Sequence, residues 1–587
     1  MTWLLAFGSA WLIGLLGIAA AWPRHRRLRD SLSLILPLGL GLGLAATSAA
    51  YFFCAAFAPA PLAVSSVLEI LVAIALVVVI RRRRRVSAQA DGSFSGLSWA
   101  SCLAATLLVQ AAVAAVVVAL RGFAASPFGL WDGWAIWNMH ARFVASGNPG
   151  IGALARSPEL IWTHPDYPML IPASVALAWA ICGAEIPLVP GLVSLLFAAA
   201  TVCLLVGAVS RLRNALVGCV AGLVLLGTPF FLSQATAQYA DIPLGFFILA
   251  SCAALVISAQ EGRGFLFLAG AAAGAAAWTK NEGMLFAMVA AACVAVSGAP
   301  ARRRERLPVF LGGLFLALVP VVLFKGLVAP SNDVVSMSVA SRLGQVADGS
   351  RHHKILSALM TELGRFGEWG SCPYIGLAAT LLLSGRPRIG RPEKTVVCML
   401  VLTLAGYYFI YLVTPRDLSW QLTFSLNRLL LQLWPSAIFL WALCLGFESA
   451  PKPAVGRRTL AVFVAANLVL GCLVLSALGR QLAPDELMEG KVDGSSVAVG
   501  LGQGWYGKEG GPGETWSWSK GRSELRIFVE GDTPGTSALE FRVRSLGTRV
   551  VTARFFGGIV WKGQVAEGYQ EVEIPGLRLH RGINTIE

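Results

Sequence analysis

Apolar runs of roughly 20 residues recur along most of the 587-residue chain, and this is the length that an α-helix needs to cross a bilayer core. The pattern predicts a polytopic α-helical membrane protein of about 14 transmembrane helices and excludes a soluble protein. The predicted helices are 2–22, 31–58, 61–80, 98–121, 186–210, 214–234, 242–260, 265–279, 283–298, 308–328, 372–385, 396–413, 428–447 and 459–479.

The pattern changes after Gly479, where long apolar runs give way to short segments of alternating apolar and charged residues. In ELRIFVEG, for example, Leu525, Ile527 and Val529 fall on one face of a strand. Such segments, separated by Pro/Gly turns, predict an antiparallel β-sandwich of ordinary domain size. The predicted domains are N-terminal transmembrane helices at 1–97, a second transmembrane domain at 98–479 and a β-sandwich domain at 480–587.

Basic residues give the chain a net charge of +15, although 56% of its residues are hydrophobic and only 13% are charged. They cluster in short connectors between predicted helices, which is typical of cytoplasmic loops and not of a nucleic-acid-binding surface. We therefore expect no nucleic-acid partner. The eleven cysteines are scattered, so neither a disulfide framework nor a thiolate metal site is predicted. The basic clusters are 24–29, 81–85, 302–306, 386–394 and 452–458.

All these clusters face the cytoplasm if the apolar stretch 167–183 does not cross the membrane. Pro168 and Pro172 interrupt its first turns, so we predict an interfacial or re-entrant helix there. Under this topology the outer side receives two large loops, 122–185 and 329–371, and everything after residue 480.

The segment WDGWAIWNMHAR places the acid Asp132 among three tryptophans directly after an apolar run. The carboxylate either caps the helix that follows, with the tryptophans anchored at lipid headgroups, or serves as a general base at an aqueous cleft. The local sequence leaves both interpretations open.

Other charged residues lie at the outer ends of predicted helices, where charge near a membrane often marks a functional site. Asp241 follows TPFFLSQATAQYA, and Lys280 and Glu282 occupy a very short turn. Each has a structural alternative, a helix cap for Asp241 and a solvated pair for the turn. Arg428, at the start of a predicted helix, either binds a phosphate or extends to headgroups.

Taken in order, these segments resemble the motifs of the GT-C superfamily of membrane glycosyltransferases. Within this superfamily they resemble the branch of protein O-mannosyltransferases and lipid A aminoarabinose transferases, which is glycosyltransferase family 39-like, and the resemblance covers roughly 98–447. Two positions depart from those motifs, because Gly133 stands in place of a second acid and Leu429 in place of a tyrosine. The matching residues are Asp132, then His164, Pro165 and Pro168 of HPDYPML, then Pro229 with Asp241, then Thr279 with Lys280, and finally Arg428 with Pro435.

The resemblance implies an inverting transferase that moves a hexose or pentose from a polyprenyl-phosphate donor to a lipid, glycan or protein acceptor. Asp132 would be the general base, and Lys280 or Arg428 would hold the leaving phosphate. Asp241 and His164 would orient the acceptor or help to hold a divalent cation, the one possible cofactor. Glu282 and Trp134 are included as substrate-binding candidates.

The resemblance also implies a location in a bacterial inner membrane, with the active site and the C-terminal domain in the periplasm as part of cell-envelope chemistry. One rival is a lipid-linked oligosaccharide ligase or polymerase, which would depend on His352 and Arg365 in the loop 329–371 instead of Asp132. A second rival, a transporter or flippase, should keep its ionisable residues near mid-membrane.

Overall fold

A computed structural model describes most of the chain, in two compact units that we describe separately. The helical unit comprises Met1–Phe123 and Pro127–Leu475, and the β unit comprises Ala124–Ser126 and Ser476–Glu587. The described residues are 2–23, 31–82, 98–297, 300–331, 339–368, 373–385, 389–446, 488–492, 495–501, 504–505, 509–511, 514–519, 521–530, 536–580 and 582–587.

The helical unit contains both long and short helices. In its first half, two shorter helical turns, Gly133–Asn138 and Pro158–Thr163, flank α5 and α6. The helices here are α1 (Trp3–Ala21), α2 (Leu32–Phe57), α3 (Pro61–Arg82), α4 (Trp99–Ala125), α5 (Met139–Ala145), α6 (Gly147–Arg156), α7 (Leu170–Cys182), α8 (Leu188–Leu212), α9 (Ala215–Leu226) and α10 (Pro229–Ala237).

The second half of the unit carries most of the charged residues singled out above. Its helices are α11 (Asp241–Glu261), α12 (Arg263–Thr279), α13 (Asn281–Val296), α14 (Pro300–Leu327), α15 (Val339–Ala347), α16 (Gly349–Arg365), α17 (Pro373–Leu383), α18 (Arg391–Val413) and α19 (Leu418–Cys444).

Within the described part of the chain, nine helices are long and apolar enough to cross a membrane, or ten if the bent pair α9 and α10 counts as one span. The chain is therefore a multi-pass membrane protein, although the predicted number of 14 crossings is not confirmed. Among the remaining predicted helices, α12, α13 and α17 are shorter than the other spans, and 459–479 lies outside the described residues.

The predicted helix 214–234 is wrong as a single straight element, because α9 and α10 meet at an angle of 64°. Proline lacks a backbone N–H and its ring crowds the preceding turn, so Pro229 begins a new helix after Gly227 and Thr228. The predicted start of the last described helix at 428 is also wrong, because α19 begins at Leu418 and Arg428 lies well inside it.

The helix α7 corresponds to the stretch that we predicted to be re-entrant or interfacial. Its 13 residues span about 20 Å, which is short of the roughly 30 Å of a bilayer core. The first ten of them, Leu170–Trp179, are all buried. A short helix that is buried in the protein agrees with a re-entrant segment, which does not cross the bilayer.

The helices of the N-terminal region share one hydrophobic core with the rest of the helical unit. For example, the indole Nε1 of Trp278 in α12 donates to the hydroxyl of Ser48 in α2 at 3.1 Å, and Trp22 packs on Phe265. The domain boundary predicted at residue 97 stays a prediction.

Close packing of α12 on α14 depends on small residues. A Cβ atom on Gly270 would stand 2.0 Å from the carbonyl oxygen of Phe310, and one on Gly313 would stand 2.0 Å from that of Phe267. Such glycines let two helix backbones approach where lipid supplies no hydrophobic driving force. The contact matters for the site because α12 ends at Thr279 and α14 carries Lys325.

The β unit has its own apolar core, formed by side chains such as Ile527, Val529 and Ile574. One antiparallel sheet of six strands has the order β1-β2-β5-β10-β7-β8, and two further pairs are β3-β4 and β6-β9. A C-terminal β region is thus confirmed, while the two-sheet sandwich stays a prediction. The strands are β1 (Met488–Val492), β2 (Ser495–Leu501), β3 (Glu509–Gly511), β4 (Glu514–Trp516), β5 (Leu525–Glu530), β6 (Thr536–Val543), β7 (Arg549–Phe555), β8 (Gly558–Val565), β9 (Gln570–Arg578) and β10 (Gly582–Ile586).

Replacing Gly270 with leucine should force α12 and α14 apart, at a cost of about 1–3 kcal/mol. The melting temperature of the purified protein in detergent should fall. Gly312→Leu is the matched control on α14, since the nearest atom to a Cβ there lies at 3.9 Å. Equal melting temperatures for the two variants would contradict the close contact.

Candidate active site

The carboxylate of Asp241 is the most deeply enclosed charge of the site, with no exposed side-chain surface. Its Oδ1 atom accepts hydrogen bonds from Lys280 Nζ at 3.0 Å and from Gln432 Nε2 at 2.6 Å. Its Oδ2 atom accepts from Arg428 Nε at 2.9 Å and lies 2.8 Å from Nη2. A buried carboxylate needs such partners because it has lost its hydration. The side chain of Asp241 is therefore bound to side chains from other helices and is not a simple helix cap.

Arg428 links Asp241 to Asp132, which lies far away in the sequence. Its Nη1 atom is 2.7 Å from Asp132 Oδ2, and its guanidinium lies over the ring of Tyr239 at 4.4 Å. Only 13% of the Arg428 side chain is exposed, so the guanidinium is held inside the protein and does not extend to lipid headgroups.

Packing of the segment around Asp132 against the end of α10 brings the acid to Arg428. Gly129 has a φ of +78°, and a Cβ atom there would stand 2.3 Å from the carbonyl oxygen of Ala237. The Asn138 side chain donates to Gln238 Oε1 at 2.9 Å. Asp132 occupies the N-cap position of the turn Gly133–Asn138 but makes no capping hydrogen bond, which argues against the helix-cap interpretation.

The turn between α12 and α13 supplies the second cation of the cluster. Lys280 Nζ lies 2.9 Å from Glu282 Oε1 as well as 3.0 Å from Asp241, and the side chain of Lys280 is 6% exposed. Burial alone would lower the pKa of Lys280, but Asp241 and Glu282 outweigh it and raise that pKa above its ordinary value. Lys280 is thus a buried, charged ammonium and not part of a solvated turn pair.

A second polar cluster lies immediately beside this turn and was not predicted. The Asn281 side chain donates to Asp166 Oδ2 at 2.8 Å and accepts from Lys325 Nζ at 2.9 Å. The same ammonium lies 3.5 Å from Asp166 Oδ2. We call Asp166, Asn281 and Lys325 the brace, because they join the segment before α7, the α12–α13 turn and the end of α14.

An aromatic stack connects the brace to the region of Asp132. The ring of Tyr167 lies between His164, with centroids 4.7 Å apart, and Trp137, at 5.5 Å, and both pairs are nearly parallel. Burial and the charges of Glu282, Asp166 and Asp132 raise the pKa of Tyr167 well above its ordinary value. Tyr167 therefore lies near these acids, and it is a site residue that sequence reasoning missed.

The remaining predicted substrate-binding residues, Trp134 and His164, lie in the same segment between α4 and α7. His164 has a left-handed backbone conformation, with φ 57°, and ends the turn Pro158–Thr163. Trp134 packs edge-on against Trp131 at 4.9 Å. The structure thus joins Asp132, Asp241, Lys280, Glu282 and Arg428 in one cluster and brings His164 beside it through Tyr167.

His140 is fully buried next to this segment and has an unusual environment. Its Nε2 atom is 3.1 Å from the hydroxyl of Thr163, and its Nδ1 atom has no hydrogen-bond partner among the described residues. Burial, and then the neighbouring His164, lower the pKa of His140 from 6.5 to about 3. The imidazole is therefore neutral throughout the physiological range.

The sequence analysis also missed two site residues, Gln432 and Tyr407. Of these, only Gln432 has a signal in the sequence. Gln432 follows Arg428 by four residues, so both side chains project from the same face of α19. The hydroxyl of Tyr407 donates to Gln432 Oε1 at 2.7 Å, which fixes the amide that binds Asp241. No sequence pattern marks Tyr407, which lies in an apolar run of α18.

The structure shows no ligand set for the possible divalent cation in the described part of the chain. No group of three or more His, Cys, Asp or Glu side chains there is arranged to hold a metal ion. The carboxylates of Asp132, Asp241 and Glu282 instead contact the cations Arg428 and Lys280. We therefore assign no metal-dependent step to these residues.

A separate groove of about 450 Å³ lies between α16 and α19. Its lining includes Lys354 and Arg365 of the loop 329–371 and Leu426 of α19. Leu426 and Arg428 are two residues apart, which places them about 200° apart around the helix. The groove and the ionic cluster thus lie on opposite faces of α19. His352, a ligase candidate, contacts the hydroxyl of Tyr408 at 2.6 Å.

Residues 166–324 match the model of a family described as dolichyl-phosphate-mannose-protein mannosyltransferase. The match supports the predicted resemblance to GT-C glycosyltransferases, and it includes Asp241, Lys280 and Glu282 but neither Asp132 nor Arg428. Comparisons with curated proteins and with solved structures gave no match. The match supports a membrane glycosyltransferase, and the long apolar helices of the described chain indicate a multi-pass membrane protein.

Replacing Lys325 with methionine should loosen the α12–α13 turn, because the ammonium that contacts both Asp166 and Asn281 would be lost. We expect backbone amides in 279–286 to exchange with deuterium roughly tenfold faster or more, as measured by mass spectrometry. Arg263→Gln is the matched control, since its ion pair with Glu305 is 71% and 68% exposed. Unchanged exchange in both variants would show that the brace does not hold the turn.

The neutral, buried His140 should make the protein less stable in acid. The unfolded chain takes up the proton near pH 6.5 and the folded chain only near 3, so stability is complete above pH 6.5 and is lost as the pH falls below it. His140→Gln should reduce the slope of unfolding free energy between pH 7 and 5 by up to about 1.4 kcal/mol per pH unit. The exposed His353→Gln is the control. Identical slopes in wild type and His140→Gln would contradict the assignment.

Proposed function

We propose that this protein is an inverting glycosyltransferase that moves a sugar from a polyprenyl-phosphate donor to an acceptor at the outer face of the membrane. The observation that carries the proposal is the convergence of Asp132, Asp241, Lys280, Glu282 and Arg428, from four separate parts of the chain, in one ionic cluster. Transfer of a sugar from a phosphate needs both an acid–base group and cations at the breaking bond, and the cluster contains both.

The donor class is supported by the family match and by the position of the charges. The matched family is described as using a dolichyl-phosphate sugar. Arg428 lies inside an apolar helix, and Lys280 lies between two apolar helices. Cations among apolar helices suit a substrate whose phosphate is joined to a long isoprenoid tail.

In the transfer step, an acceptor hydroxyl or amine attacks the anomeric carbon while Asp132 takes its proton. The new bond joins the acceptor atom to that carbon, and the bond between the carbon and the phosphate oxygen breaks with its electron pair going to the phosphate. Lys280 and Arg428 stabilise the phosphate that leaves. Asp241, which is fully buried, holds both cations in place and does not itself exchange protons.

The side of the membrane follows from the predicted topology. The outer loop 122–185 carries Asp132, and the basic connectors lie on the opposite side under the charge rule. We place the site and the β unit in the periplasm of a bacterial inner membrane. The acceptor is a lipid, glycan or protein of the cell envelope.

The test is to incubate the purified protein in nanodiscs with polyprenyl-phosphate hexoses and pentoses and to follow transfer to added acceptors. We expect turnover by the wild type and a loss of about 10²-fold or more in Asp132→Asn and Arg428→Ala. Glu305→Gln, which changes an exposed ion pair away from the cluster, is the control.

The results distinguish the proposal from its rivals. Turnover that survives Asp132→Asn would rule out the base assignment. Loss of turnover only on changing His352 or Arg365 would favour the ligase or polymerase. Movement of a lipid-linked sugar across the bilayer without any new glycosidic bond would favour the flippase.

A further inference from the structure

The proposed base and the proposed phosphate-binding cation are bonded to each other. Asp132 Oδ2 lies 2.7 Å from Arg428 Nη1. The ion pair occupies one of the two carboxylate oxygens that could accept a proton. It also occupies the arginine donor that a phosphate would use. This arrangement therefore precedes the reaction and must change before transfer.

The contact with Asp132 is the one that can open at least cost. Asp241 has no exposed side-chain surface and receives hydrogen bonds from Lys280, Arg428 and Gln432. Asp132 is 23% exposed, and Arg428 is its one bonded partner among the described residues. Breaking the Asp241 contacts would leave a fully buried charge uncompensated, whereas Asp132 can turn towards solvent.

Charge balance leaves no unused cation in the cluster. Asp132, Asp241 and Glu282 are three acids, and Lys280 and Arg428 are two cations. Both cations already contact two carboxylates each within the described structure. A donor phosphate that enters would add a further negative charge, so it has to replace a carboxylate instead of joining all three.

We propose that Asp132 occupies the phosphate position on Arg428 before the donor binds and that the donor phosphate displaces it. The exchange frees Asp132 to act as a base only when the donor is present, so the donor binds before the acceptor reacts. No covalent bond changes in the exchange, since one ion pair replaces another. The inference rests on the proposed function, because it concerns the same donor and the same base.

The exchange makes a prediction that a base-only role for Asp132 does not make. Asp132→Asn removes the competing charge, so it should bind a polyprenyl phosphate about tenfold more tightly, the factor expected for roughly one charge-assisted contact, although it cannot catalyse transfer. A residue that only accepts a proton would leave this affinity unchanged. Asn keeps the shape of Asp, and Arg428 keeps its two bonds to Asp241.

The experiment measures the binding of a fluorescent short-chain polyprenyl phosphate to the protein in nanodiscs. Wild type is compared with Asp132→Asn, with Arg428→Ala and with the double variant. The gain of Asp132→Asn should vanish when Arg428 is alanine, because the two changes act on one contact. Glu305→Gln is the control, since that acid pairs with Arg263 in an exposed contact away from the cluster. Melting temperatures establish that each variant is folded.

The outcomes separate the exchange from the proposed function. Tighter binding by Asp132→Asn alone supports the exchange. Equal binding by wild type and Asp132→Asn overturns the exchange and leaves the transferase intact. No binding by any folded variant overturns both. Competition by inorganic phosphate or by phosphatidylglycerol as strong as that by unlabelled polyprenyl phosphate would identify a general anion site and overturn the donor assignment.

Discussion

The buried carboxylate of Asp241 is the constraint on which the rest of the site depends. It lies where α11, α19 and the α12–α13 turn meet, with no access to water. Removing one partner of such a buried ion pair typically costs about 3–5 kcal/mol. The ion pairs of Asp241 therefore hold the three elements together. Asp241 thereby fixes Arg428 and Lys280 in position. Their other partners, Asp132 and Glu282, are the partly exposed carboxylates of the cluster.

The site thus has an enclosed half and a more accessible half. Around Asp241, every contact is made with side chains on membrane helices or on the short turn between two of them. Asp132 and Tyr167 belong instead to the segment between α4 and α7, which reaches the cluster by packing against the end of α10 and the brace. Fixed dipoles and charges in a low-dielectric region do most for catalysis when they need no reorganisation. A movable acid beside fixed cations combines that advantage with control over when the base is released.

Much of this arrangement could be predicted from the sequence because charged residues at the ends of apolar helices are few. Asp132, Asp241 and Lys280 were identified in this way. Arg428 was identified on the same ground, although it lies inside α19 and not at its start. The roles of all four stay predictions. The break at Pro229 has a signal in Gly-Thr-Pro that an apolar-run criterion overlooks. The brace was not predictable, since a lysine at the end of α14 looks like an ordinary interfacial residue until its distant partners are known. The pairing of Arg428 with Asp132 also required coordinates, because a sequence does not show which acid a given cation will meet.

The lengths of α12 and α13 have a consequence for the surrounding bilayer. With 17 and 16 residues, they extend about 24–26 Å, several ångströms less than the roughly 30 Å of an average hydrocarbon layer. Lipids around a short hairpin thin locally or its polar end sits below the headgroup plane, a form of hydrophobic mismatch. Under the proposed function, the ammonium of Lys280 at the end of this hairpin would meet a phosphate that an isoprenoid tail holds within the leaflet.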